Sequence, residues 1–147
     1  MPDKKNKQLA LKQFDQGFNC AQSVFATFSE QLQLDKNTAL KIASGFGGGL
    51  GRRGDECGVV TGAMMVLGLA YGNTAPKDDS AKDLILKKTN EFARRFKEIN
   101  DSSKCQQLIG FNLADESEHK AAVKNKVFDK LCTGYISDAV KIIEDLL

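Results

Sequence analysis

The chain has 147 residues, 41% hydrophobic and 27% charged, with a net charge of +2. That length predicts one domain able to bury a core, and the composition is that of a globular chain. The near balance of 21 basic and 19 acidic residues gives no footprint for nucleic acid or an anionic membrane as obligate partner.

In chain order, residues 3–15 read as a first helix with Leu9, Ala10, Leu11 and Phe14 on its apolar face, ended by Gly17. Asn19 caps a second helix that begins at Cys20 and carries Val24, Phe25, Phe28 and Leu32 at spacings of three and four. A third helix starts at Asp35 or Asn37, with Leu40, Ile42 and Ala43 expected in the core. It runs into a stretch, Gly45 to Gly72, where glycine is concentrated. After this loop Cys57 opens the most apolar run in the chain, to about Tyr71. Its near-continuous apolar surface predicts a central, surrounded helix. Gly58 and Gly62, one turn apart, leave room for another helix, and Gly72 is a C-terminal stop.

Asn73 to Lys77 is a loop. Asp78, Asp79 or Ser80 then caps an amphipathic helix to about Ile99, with Leu84, Ile85, Phe92, Phe96 and Ile99 inward. Lys87, Lys88, Arg94, Arg95 and Lys97 form a basic stripe, read as a solvated face. Ser102 or Ser103 caps a short helix with Cys105 in its first turn and Gly110 near its end. Residues 111–126 read as a polar, irregular surface excursion holding His119, the only histidine. The last helix carries Ile136, Ala139, Val140, Ile143 and Leu147, with Cys132 just before it. No segment alternates as a strand, so the expected fold is all-α, a single domain over residues 1–147. Five or six helices would pack around the helix at about 57–71. The N-terminus has no secretory pattern, and the apolar run is too short to span a bilayer, which predicts a cytoplasmic protein.

Cys20, Cys57, Cys105 and Cys132 carry the chemistry. None forms a CxxC pair, so a shared site has to be assembled by the fold. All four fall at or next to predicted helix starts, where unpaired amides and the helix dipole stabilise a thiolate, the form that attacks disulfides and binds metals. Arg52 and Arg53, just before Cys57, would add to the effect. The glycine loop resembles a phosphate cradle in composition but lacks the Gly-Lys-Ser/Thr ending and a preceding strand. Gly48, Gly49, Gly51, Arg53 and Gly58 are its candidates for cofactor contacts.

These residues together give a family resemblance. Asn19-Cys20-Ala21, Cys57-Gly58-Val59-Val60-Thr61-Gly62 after the glycine loop, Lys104-Cys105-Gln106 and Cys132 before the last helix resemble the redox-active protein family with the C_GCAxxG_C_C signature. Val59 stands where the signature has alanine. The resemblance spans essentially the whole chain and implies that the four cysteines act together. It also implies a role beside a transporter, because genes of the family often neighbour transporter genes.

Three readings follow. The first is dithiol/disulfide exchange or electron transfer, with Cys57 attacking, Cys20 as its first-choice partner and Cys105 and Cys132 completing the set. It is a thiol-dependent oxidoreductase chemistry that requires no cofactor. Which cysteines pair is left open among three arrangements. The second is a metal or iron–sulfur centre with Cys20, Cys57, Cys105 and Cys132 as thiolate ligands to zinc or a cluster. The third is a non-catalytic helical module with structural cysteines. A redox partner protein and a homodimer are the remaining partner expectations.

Overall fold

The computed structural model describes residues 2–147. Eight α-helices of five residues or more carry the described chain: α1 (Pro2–Asp15), α2 (Cys20–Ser29), α3 (Lys36–Ala43), α4 (Gly58–Tyr71), α5 (Asp79–Asn100), α6 (Cys105–Ile109), α7 (Glu116–Lys124) and α8 (Thr133–Leu146). The fold is all-α, and the only extended pairing among the described residues is a single antiparallel bridge between Glu56 and Lys104.

The two helices that carry the first two cysteines pack most extensively. α2 is buried over nearly its whole length, and it crosses α4, whose Val59, Val60, Ala63, Val66 and Leu67 are fully buried. The crossing is close because two glycines allow it. A Cβ at Gly62 would lie 2.9 Å from the Ala21 carbonyl oxygen and 3.2 Å from Ala21 Cα, and one at Gly58 would collide with the Cys20 sulfur. Helix α1 lies against α2 and α8, and α5 against α4 and α8. The α5 contribution centres on Phe92 and Phe96, stacked with ring centroids 6.0 Å apart.

The start of α2 is fixed locally. Asn19 Oδ1 accepts from the Gln22 amide at 2.8 Å, and the Asn19 amide donates to Gln22 Oε1 at 2.9 Å, a complete capping box. The same two side chains reach outward, Asn19 Nδ2 donating to the Ser44 carbonyl and Gln22 Nε2 to the Leu40 carbonyl. The start of α2 is thereby tied to the end of α3 and the beginning of the glycine loop.

Several sequence expectations need correction. Residues 116–124 are a helix, not an irregular excursion. Asp115 caps it by accepting from the Ser117 and Glu118 amides. Its apolar face is too weak to announce itself, since Ala122 is its one buried residue. Ile42 and Ile99 are 49% and 57% exposed rather than core, because α3 buries only Ala39 and Ala43 and the buried stripe of α5 ends at Phe96. Leu84 and Leu147 are also exposed, and the last turn of α4 brings Leu69 to the surface. The basic stripe on α5 is a solvated face as expected, with Lys87, Arg94 and Lys97 exposed, and three of its cations find partners within their own chain. Arg94 pairs with Glu91 and Glu98, Arg95 with Asp145, and Lys88 donates to the Leu146 carbonyl. No helix among the described residues is long and apolar enough to cross a membrane.

Candidate functional site

Beside the main core lies a smaller apolar cluster of Cys105, Ile109, Leu113, Ala122 and Val127, with Phe111, Phe128 and Cys132 packed against it. Cys57 belongs to the main core and Cys20 packs against that core. Between the two clusters is a cavity of about 640 Å³ lined by all four cysteines. That volume is in the range of small-molecule sites. The fold thus brings the four separate cysteine positions to one cavity. None of the four is in a disulfide, and Cys57 and Cys105 are buried while Cys20 and Cys132 are half-buried.

The glycine loop is the wedge that brings the cysteines to one place. Gly48, Gly49, Gly51 and Gly54 have φ between +65° and +73°, a region that L side chains rarely occupy. A Cβ at Gly47 would strike the Asn19 side chain at 2.6 Å, and one at Gly49 would lie 2.6 Å from the Asp55 nitrogen and 2.8 Å from Cys105 Cβ. The loop therefore touches the starts of both α2 and α6. Of the residues proposed for cofactor contacts, Gly48 and Gly51 line the cavity. Gly49 is buried against Cys105, Gly58 is filled by Cys20, and Arg53 donates to the Leu50 carbonyl at the surface.

Electrostatics separates the four thiols. The neighbouring Cys57 thiol, with the amides of Gly48, Ala21 and Cys20 itself, favours the Cys20 thiolate, outweighs burial and lowers the Cys20 pKa from 9.0 to about 7. Cys57 moves the other way, raised because its proton serves Cys20, and raised further by burial and by the Cys20 charge. Burial first, then the Cys20 charge, pushes Cys105 up to about 12. Cys132 is also raised, by burial and then by the charges on Cys20 and Cys105.

Cys57 stands at the start of the more apolar helix and the Val59 amide acts to lower it, but its interaction with Cys20 and its burial outweigh that amide. Cys57 is the N-cap of α4, and its amide donates to the Ser103 carbonyl at 2.7 Å. The Cys105 amide is likewise spent on the Asp55 carbonyl at 2.7 Å. Both amides belong to the bridge at Glu56 and Lys104, whereas the Cys20 amide remains directed at its own sulfur. Cys132 lacks a free helix start altogether. Phe128–Cys132 is a π-helical turn running straight into α8, and Cys132 itself has helical angles.

His119, placed by the sequence in a polar loop, faces this cavity from α7 and stands against Phe128 with ring centroids 6.2 Å apart. Tyr135 also lines the cavity, and its hydroxyl donates to the Leu108 carbonyl at 2.7 Å. Neither residue carries a sequence signal for the site, because both reach it only through the packing of α7 and α8. As donors for zinc or an iron–sulfur cluster, the four thiols have the right number and softness. They line one cavity, but among the described residues no group of three or more Cys, His, Asp and Glu side chains gathers in an arrangement that could hold a metal ion.

A family model described as "Putative redox-active protein (C_GCAxxG_C_C)" matches residues 18–146. Comparison with curated proteins and with solved structures gives no match.

Proposed function

This chain belongs to the C_GCAxxG_C_C family of redox-active proteins, and from that premise we propose that it carries out dithiol/disulfide exchange, with Cys20 as nucleophile and Cys57 as resolving thiol. The observation that carries this reading is the gathering of all four cysteines around one cavity, with the Cys20 sulfur seated against Gly58 at the start of α4 beside Cys57, and the lowered Cys20 pKa supports its choice as nucleophile. A thiolate attacks a disulfide sulfur and displaces the other sulfur as a thiolate. Here the Cys20 thiolate attacks a substrate R–S–S–R, giving a Cys20–S–S–R mixed disulfide and RS⁻. Cys57 then attacks the Cys20 sulfur, releasing the second RS⁻, while the Cys57 proton passes to one of the leaving thiolates. The protein loses two electrons as a new Cys20–Cys57 disulfide, and the substrate gains them as RS⁻ and RSH.

Cys105 and Cys132 form the second dithiol in this scheme, because they share the smaller apolar cluster and face the same cavity. The charge on reduced Cys20 helps hold both in their neutral form. Converting Cys20 to a neutral disulfide removes that contribution and leaves the second pair easier to ionise.

Titration of the reduced protein with a small disulfide, acid quenching and peptide mapping without reductant tests the pairing. The first equivalent is expected to link Cys20 to Cys57, and the second to link Cys105 to Cys132. Four unlinked thiols after excess oxidant, or a first link that omits Cys20, would contradict the assignment.

A further inference from the structure

The cavity that holds Cys20 is largely apolar, and Arg52 is the only lysine or arginine among the residues lining it. Its guanidinium forms no ion pair among the described residues, in contrast to Arg53, which approaches Asp55 at 3.8 Å, and to Arg94 and Arg95 on α5. The one carboxylate on the cavity lining, Asp129, is not engaged with it either.

The backbone at this position is left-handed, as it is at Leu50 in the same loop. Arg52 has φ +66°, a left-handed conformation that neighbouring Gly51 and Gly54 adopt without a side-chain penalty. A long cationic side chain at such a position is disfavoured, and residues held this way concentrate at ligand sites. The Arg52 amide donates to the Gly47 carbonyl at 3.1 Å, fixing the turn. Its aliphatic stem lies across Gly48, where a Cβ would come within 2.9 Å of Arg52 Cγ. Gly48 in turn supplies one of the amides directed at the Cys20 sulfur. One glycine therefore supports the nucleophile on one side and the arginine stem on the other.

Resting on the dithiol reading above, we propose that Arg52 is a specificity-determining residue that selects anionic substrates, namely low-molecular-weight disulfides whose substituents carry carboxylates. A guanidinium pairs with a carboxylate through two parallel N–H donors. The apolar walls accept the body of the substrate while Arg52 holds its charged end at the rim. The sulfur–sulfur bond is then presented to Cys20, and the exchange proceeds with the electron balance given above.

Two probes separate this inference from the reading it rests on: 5,5′-dithiobis(2-nitrobenzoate), which carries two carboxylates, and the neutral 4,4′-dithiodipyridine. Rates for the fully reduced protein are measured at one neutral pH and normalised to free cysteine. The ratio of the anionic to the neutral rate is expected to fall about tenfold in Arg52→Gly, the loss of one charge-assisted contact. It should fall further in Arg52→Glu and be largely retained in Arg52→Lys. Arg52→Gly suits the left-handed backbone, so the loop keeps its shape. An unchanged ratio in Arg52→Gly would overturn the role of Arg52 while leaving Cys20 chemistry intact. Equal rates for the wild type and Cys20→Ser with the neutral probe would overturn the dithiol reading itself.

Discussion

Replacing Cys20 with serine is expected to slow exchange with a small disulfide at neutral pH by about a hundredfold, because the remaining thiols are poorly ionised. At pH 7 a thiol of pKa about 7 is half ionised. One held near 12, as Cys105 is, has roughly one thiolate in 10⁵ molecules. Higher intrinsic nucleophilicity of the more basic thiolate recovers part of that deficit, about two powers of ten for a Brønsted slope near 0.4–0.5. The residual deficit still exceeds a hundredfold, and the lost Cys20 charge returns some of it by easing ionisation of the neighbours. Cys57→Ala behaves differently. Its Cys20 loses the thiol donor, its pKa rises, and attack slows, while the mixed disulfide accumulates for want of a resolving sulfur. Cys57→Ser keeps a hydroxyl donor and should preserve more of the Cys20 acidity. Stopped-flow rates and intact mass of the trapped adduct check each outcome. Undiminished exchange in Cys20→Ser would remove Cys20 from the mechanism.

The second large effect is expected from Gly58→Ala, which should lower stability by about 2 kcal/mol and raise the Cys20 pKa together. A Cβ at Gly58 would overlap the Cys20 sulfur and approach the Ala21 nitrogen at 3.0 Å and the Phe46 carbonyl oxygen at 3.3 Å. Two of those neighbours are backbone, so relief requires α2 and α4 to separate. The general helix advantage of alanine over glycine, about 0.5–1 kcal/mol in a helix interior, is smaller at this first helical position. Gly62→Ala isolates the packing part. It presses the same crossing at the Ala21 carbonyl but does not touch the sulfur. It should therefore lose stability and leave Cys20 reactivity near that of the wild type. At Gly68 a Cβ meets nothing within 4 Å, so Gly68→Ala should stabilise by about 0.5–1 kcal/mol. Urea titrations read the stabilities and the pH dependence of alkylation reads the sulfur. A Gly58→Ala protein with wild-type stability and reactivity would show that this contact does not hold the thiol in place.

How much of this was legible in the sequence depended on how local the determining interactions are. The α2 start was readable because Asn19 and Gln22 are three residues apart and cap the helix between themselves. Gly58 and Gly62 announced a close helix approach through their spacing, and α2 fills it. Helix α7 was missed because it buries only Ala122, so the periodic apolar signal is nearly absent and the Asp115 cap stands alone. The order of thiol acidities could not be read either. It turns on Cys57 meeting Cys20 from a distant part of the chain, on burial of the other thiols, and on Gly48 reaching back to Cys20. Cys132 was placed correctly beside the last helix, but the π-helical turn before it removes the free amides on which its expected acidity depended.

The central claim is that the fold makes Cys20 the acidic thiol by spending the Cys57 proton and three amides on it. Site-resolved alkylation of the fully reduced protein across pH, read by peptide mass spectrometry, tests this most directly. Cys20 should follow a titration with its midpoint near 7, while Cys57, Cys105 and Cys132 stay unreactive until well above the ordinary thiol value of 9.0. Cys57 alkylating first, or all four cysteines following one curve near 9.0, would contradict the account.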